Sequence, residues 1–123
     1  MKKSFLITGG AGYLGSMLTS KLVYLGYEVY VMDSLLFSKE PIFHLFSYPN
    51  FHFVNADVRS LKTLKKLMTK VDYILPLAAL VGAPVCEKNK KTALEVNLDN
   101  IKFIVKNIKK NQRIIYPTTN SGY

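Results

Sequence analysis

A chain of 123 residues, 49% of them hydrophobic, is long enough to bury one core and too short for two ordinary ones, so a single domain is expected. Its formal charge of +9 comes from fifteen lysines and two arginines, Arg59 and Arg113. Bidentate reading of phosphates and bases favours arginine, and most of the lysines fall between apolar helical positions, so the charge is read as solvated helix faces and no nucleic-acid partner is expected. No apolar run approaches the roughly 18 residues that cross a bilayer, "MKKSFLITGG" breaks into glycine too early for a secretory core, and the single Cys86 excludes an internal disulfide; a cytoplasmic protein with no membrane partner is expected.

The first element is a strand from Ser4 to Thr8, whose unbroken apolar run suits a strand buried on both faces of a parallel sheet. A glycine-rich turn follows, and Leu14, Met17, Leu18, Leu22 and Leu25 then recur at helical spacing from Tyr13 until Gly26 closes the segment. "YEVYVMD" is a second strand ending at Asp33. The aromatic-rich stretch between Asp33 and Phe51 has room for a short helix and is read as the cover of a core edge, with a partner surface as the alternative. "FHFVNAD" is a third strand, and "SLKTLKKLMTK" a helix capped by Ser60 with Leu61, Leu64, Leu67 and Met68 inward. "VDYILPLAAL" supplies a fourth strand that Pro76 should end, because proline cannot donate to a ladder. A helix over Lys88 to Lys110 with an inner stripe of Leu94, Leu98, Ile101, Val105 and Ile108, and a fifth strand "RIIYP", complete the chain. Strands alternating with helices in this way predict a doubly wound parallel α/β sheet in three layers, with right-handed crossovers, ending after its fifth strand.

The chemistry is concentrated in "ITGGAGYLGS", where two spacings can be read: Gly10-x-Gly12-x-x-Gly15 and Gly9-x-x-Gly12-x-x-Gly15. The glycines follow a strand, open a helix, and precede an acid at the end of the next strand, Asp33, about 20 residues on; that is the dinucleotide fingerprint. Gly9 lets the chain turn out of the strand, Gly12 lets backbone amides approach a pyrophosphate, and Gly15 lets the helix pack on the sheet. The helix N-terminus then offers the diphosphate free N–H groups and a positive dipole end. Asp33 is placed to accept from the adenosine ribose hydroxyls, and its charge repels a 2′-phosphate, which favours NAD over NADP. Asp57, at the end of the third strand, falls on the sheet edge where the adenine would lie; by position alone the reading as a turn or cap residue before the Ser60 helix prevails. His44, His52 and Cys86 have no metal-ligand spacing, so no metal site is expected.

These residues resemble the extended short-chain dehydrogenase/reductases, the group of NAD-dependent sugar-nucleotide epimerases and dehydratases. "TGGAGYLGS" is similar to that family's TGxxGxxG turn, "DVRS" at 57 to 60 to its adenine-contacting step, and "LAALVGAP" at 77 to 84 to its strand-end segment beside the cofactor. Asn97 in "EVNLDN" matches its helix asparagine, and "YPTTNSGY" resembles the fifth-strand segment with a hydroxyl four residues before a tyrosine, Thr119 before Tyr123. The resemblance covers essentially the whole chain as the N-terminal part of such an enzyme and implies a Rossmann fold. It makes Gly9, Gly12 and Gly15 the working triplet and Gly10 an additional flexible position. It implies backbone cofactor contacts at Tyr13 and Leu14, adenosine contacts at Asp33, Asp57 and Val58, and contacts along the dinucleotide at Leu77, Ala78 and Ala79. Asn97 is structural, and Thr119 hydrogen-bonds the substrate during hydride transfer.

Two departures qualify the match. Pro76 stands where the family often has histidine, and no Tyr-x-x-x-Lys pair, the family's general base, follows Thr119 within the 123 residues. The expectation is therefore an NAD-binding domain over 1–123 that binds cofactor without turnover, the nucleotide-sugar substrate being bound by a C-terminal domain that this chain does not contain. The alternative is a non-catalytic dinucleotide-binding sensor of the same fold. An apolar sheet edge after the fifth strand, or other exposed apolar surface, predicts a homo-oligomer.

Overall fold

The computed structural model describes residues 3–35, 40–78 and 90–117. Five parallel strands stand in the order β3-β2-β1-β4-β5: β1 Ser4–Thr8, β2 Glu28–Asp33, β3 Phe51–Asn55, β4 Tyr73–Pro76 and β5 Arg113–Ile114. The first strand is the centre of the sheet, with Ser4 to Thr8 opposite Glu28 to Met32 on one side and Phe5 to Thr8 opposite Tyr73 to Pro76 on the other. At the N-terminal end of the sheet Ser4 donates its N–H and its hydroxyl to Asp72 Oδ2 at 3.0 and 3.1 Å, clasping β1 to β4. The order reverses between β2 and β4 on either side of β1, which places a ligand crevice beyond the C-terminal ends of the strands.

The helices are α1 Tyr13–Tyr24, α2 Glu40–Phe43, α3 Leu61–Met68, α4 Lys90–Leu94 and α5 Asn100–Asn107; a π-helical turn, Glu95–Asp99, joins the last two. Each face of the sheet has its own core. Leu6, Met32 and Ile74 pack with Leu64, Leu67 and Met68 of α3 and with Val96 and Ile104. Ile7, Val29, Val31 and Leu75 pack with Val23 of α1 and with Ile42 and Leu45. The doubly wound, three-layer reading therefore holds. The segment after Asp33 shields a core edge as expected, since Ile42 and Leu45 are fully buried.

Several local expectations are corrected. Helix α1 buries Gly15, Ser16, Thr19 and Val23, while Leu14, Met17 and Leu25 are exposed. The face nearest the sheet is small because it lies against the glycine turn, so of the predicted apolar positions only Leu18 and Leu22 pack on the core, half-buried. Leu61 is likewise exposed, and Ser60 occupies the cap position of α3 without a side-chain bond, its carbonyl accepting from Leu64 N–H at 3.0 Å.

The stripe predicted for the last helix is only partly inward: Ile101 and Ile108 are half-buried and the other three members face outward. Leu94, Leu98 and Val105 are 53%, 43% and 57% exposed, and the buried residues are Val96, Asn100 and Ile104. The π-helical turn adds a residue to the helix, so positions before and after it do not share the face that a regular 3.6-residue period gives them. The fifth strand covers only Arg113–Ile114 of the expected "RIIYP", although Ile115 N–H still reaches Ile74 carbonyl at 2.9 Å. The third and fourth strands are shorter than expected too, β4 ending at Pro76 as proline requires.

Candidate functional site

Every candidate residue among those described follows the C-terminal end of a strand. Gly9 to Gly15 follow β1, Asp33 ends β2, Asp57 and Val58 follow β3, and Leu77 and Ala78 follow β4. Ala79 and Thr119 lie outside the described residues, as do Cys86 and Tyr123.

The glycine turn is built by contact as much as by conformational freedom. Gly9 has φ +74°, a left-handed backbone, and a Cβ there would stand 2.7 Å from the Ala78 backbone. Its N–H donates to Met32 carbonyl at 2.9 Å, tying the turn to β2. A Cβ on Gly15 would run into the Gly9 carbonyl oxygen and stand 2.9 Å from Gly10 Cα, so this glycine packs the helix onto the turn itself and not onto the sheet. Gly10 is not the flexible position expected: a Cβ would come within 2.6 Å of the Val31 side chain. Gly12 is the open one, its hypothetical Cβ meeting only the Gly9 carbonyl at 3.3 Å.

Gly12 caps α1 with no side-chain bond, and the first turn, which contains Tyr13 and Leu14, holds no acidic residue. An uncovered helix start above an open glycine suits a diphosphate, since unpaired N–H groups and the helix dipole both favour an anion there.

Asp33 joins two parts of the site. Its Oδ2 accepts from Ala11 N–H at 2.8 Å and its Oδ1 from Leu35 N–H at 2.7 Å, so both oxygens are oriented by the chain's own backbone. Holding the turn and accepting from a ribose are thus compatible in one side chain, because each oxygen retains a further lone pair. Leu35 pays for this bond with φ 58°, a left-handed conformation uncommon for leucine. Ala11 was not anticipated; only the register of the turn against β2 shows it.

Asp57 lies two residues past β3 and is gripped by Arg59. The guanidinium donates through Nε to Oδ1 at 3.0 Å and through Nη2 to Oδ2 at 2.7 Å, while Arg59 N–H donates to Oδ1 at 2.8 Å. These hydrogen bonds, the side-chain ones foremost, outweigh partial burial and hold the carboxyl below its ordinary pKa. Arg59 Nη1 also stands 3.8 Å from Glu95 Oε1. An arginine two residues after an aspartate is a local signal for such a clamp that spacing rules for helices overlook.

A carboxyl whose folded pKa lies below its unfolded value stabilises the fold above the unfolded pKa of about 3.9, and that contribution is lost as pH falls through the folded value. Urea midpoints measured from pH 6 down to pH 3 should therefore fall less steeply for Asp57→Asn than for the unsubstituted chain. Parallel curves would mean that the Arg59 clamp does not operate in solution.

On the β4 side, Leu77 N–H donates to Thr8 carbonyl at 3.0 Å and Ala78 N–H to the Thr8 hydroxyl oxygen at 3.3 Å. Thr8, fully buried, thus fixes the segment that backs Gly9. Among the described residues no group of three or more His, Cys, Asp or Glu side chains could hold a metal ion. His52 bonds Glu28 at 2.9 Å and stacks on Tyr30, as a strand residue would. No helix among the described residues is long and apolar enough to cross a membrane.

With this geometry in place, comparison with known proteins is direct. Residues 5–123 match the NAD dependent epimerase/dehydratase family. The chain is 28% identical over its whole length to a UDP-N-acetyl-alpha-D-glucosaminuronate decarboxylase of Bacillus cytotoxicus, of which it spans 38%. It is similar to the solved structure of the epimerase Mth375 of Methanothermobacter thermautotrophicus, with TM-score 0.86 and 30% identity over 98% of this chain and 36% of that one. It is also similar to a UDP-glucose-4-epimerase of Stenotrophomonas maltophila solved with bound NAD and formylated UDP-arabinopyranose, with TM-score 0.82 and 25% identity over 97% of this chain and 38% of that one. The family is NAD dependent, in agreement with the cofactor read from the glycine turn and Asp33. The chain belongs to the NAD dependent epimerase/dehydratase family and corresponds to the N-terminal part of its relatives.

Proposed function

We propose that residues 1–123 are the NAD-binding part of a nucleotide-sugar epimerase or dehydratase, and that this chain by itself binds the cofactor without turning over a sugar. The observation that carries the reading is the junction of Asp33 with the glycine turn: the Ala11 amide holds a carboxylate at 2.8 Å beside an uncapped helix start. Gly9 shapes the turn, Gly12 and the backbone of Tyr13, Leu14 and Gly15 receive the diphosphate, and Asp33 accepts from the adenosine ribose. Asp57 and Val58 meet the adenine, and Leu77, Ala78 and Ala79 run along the dinucleotide. Bound there, NAD would supply a hydride acceptor for a sugar carbon in the complete site, with the Thr119 hydroxyl as the group to hydrogen-bond the substrate.

Two further parts of the reading concern its setting. The exposed apolar row Leu94, Leu98 and Val105 supports self-association through the outer face of α4 and α5. The cytoplasm is the compartment implied by a single cysteine and an NAD-dependent family.

Calorimetry tests the central claim. NAD should bind one to one and at least about tenfold more tightly than NADP, a difference of about 1.4 kcal/mol. Equal affinities would remove Asp33 from the ribose, and no binding of either would end the proposal. Sedimentation of the same sample should show a dimer or larger species; a monomer throughout would remove the self-association.

A further inference from the structure

Asn100 is 2% exposed and stands at a position where the helix could as well carry an apolar residue, between Val96 and Ile104 of the core. Its Nδ2 donates to the Val58 carbonyl at 2.8 Å, across 42 positions of sequence. Its Oδ1 has no hydrogen-bond partner among the described residues. A buried amide that leaves half its capacity unused destabilises a fold, so its presence asks for an explanation other than packing.

The explanation lies in what its one bond fixes. The peptide linking Val58 and Arg59 is held at both ends, its carbonyl by Asn100 and its N–H by Asp57 Oδ1 at 2.8 Å. Arg59 adds a second tie to the same helical segment through Glu95 at 3.8 Å. The Val58 side chain is buried in the core and the Asp57 carboxylate is clamped by the Arg59 guanidinium, so the peptide between Asp57 and Val58 is restrained on both sides as well, and with it the Val58 N–H. No acceptor for this N–H occurs among the described residues. Beside it stands the Asp57 carboxylate, so the turn presents an acceptor next to a donor. Adenine presents the complement, a 6-amino donor next to the N1 acceptor, whereas hypoxanthine reverses both.

We infer that Asn100 is a positioning residue for base selection: without touching the base, it pins the Val58 carbonyl from inside the core and thereby aims the Val58 N–H that distinguishes adenine from hypoxanthine. The inference rests on the proposal that Asp57 and Val58 meet the adenine of the dinucleotide.

The test compares NAD with nicotinamide hypoxanthine dinucleotide by calorimetry on the unsubstituted chain, on Asn100→Ala and on the volume-conserving Asn100→Leu. The unsubstituted chain should prefer NAD by about tenfold or more, as a paired edge contact provides. In the variants that preference should shrink toward unity, mainly through loss of NAD affinity. A merely structural defect lowers the fraction of competent protein equally for both dinucleotides and leaves the ratio unchanged, so an unchanged ratio in a variant that still binds NAD overturns the inference; Asn100→Leu serves if Asn100→Ala does not fold. Failure of the unsubstituted chain to bind either dinucleotide overturns the underlying proposal and this inference with it. Binding of NAD with no preference over the hypoxanthine analogue overturns the inference alone and leaves NAD binding standing.

Discussion

Replacing Gly15 by alanine should both destabilise the chain and weaken NAD binding severely, whereas the same change at Gly12 should spare the fold and weaken only the ligand. Within a helix, glycine to alanine ordinarily gains about 1 kcal/mol. At Gly15 the gain is overridden, because the added Cβ runs into the Gly9 carbonyl oxygen and Gly10 Cα, and backbone cannot rotate aside as a side chain can. Overpacking of this kind costs about 1–3 kcal/mol, and the turn that must shift is the one proposed to hold the diphosphate. A loss of affinity on the order of 100-fold is expected, equivalent to about 2.7 kcal/mol. At Gly12 the new Cβ meets only one atom, at 3.3 Å, and otherwise fills the open space through which a phosphate would approach. Thermal unfolding and calorimetry on the two variants separate the effects. A Gly12→Ala chain that binds NAD unimpaired would show that the diphosphate does not sit over this turn.

Asp33→Asn should lower NAD affinity by about ten- to a hundredfold and, more tellingly, erase the preference over NADP. The asparagine keeps one acceptor oxygen where the aspartate offers two, so either Ala11 or Leu35 is left with its N–H facing an amide NH2. Hydrogen bonds to a charged acceptor contribute about 1.5–3 kcal/mol, and the ribose hydroxyls would lose that partner too. The removed charge is also what repels a 2′-phosphate, so NADP should lose less affinity than NAD or gain some. If both dinucleotides weaken by the same factor, Asp33 acts only by holding the turn, and the ribose assignment fails.

What could be read in advance was local. The strand Ser4–Thr8, the turn after it and the close at Gly26 depend on neighbours in sequence, and each stands where the residue types put it. The match of Asp33 to the glycines was legible because two short elements separate them. The Ala11 bond that makes the match physical was not, since it depends on strand register. The last helix was read as one regular stripe, whereas the five residues Glu95–Asp99 adopt a π-helical turn that breaks its 3.6-residue period into two. Asn100 went unnoticed for the same reason and for another: its partner Val58 is 42 positions away. Gly10 illustrates a third limit, for a glycine required by the nearness of Val31 looks in sequence like one required by backbone freedom.

The clasp between Ser4 and Asp72 bears on the order in which the molecule assembles. The strand made first is the centre of the sheet, yet its two neighbours arrive at very different times: Glu28 is the partner of Ser4 on one side, while Asp72 closes the other across 68 positions. Pairings between distant residues slow folding, and the β1-β2-β3 half contains the nearer ones. That half contains the junction of Ala11 with Asp33 and lies wholly before β4 in the chain. The parts that back Gly9 and aim Val58, Ala78 and Asn100, come with the second half. On the proposed reading, the junction that would meet the ribose is complete in sequence before the parts that would choose the base.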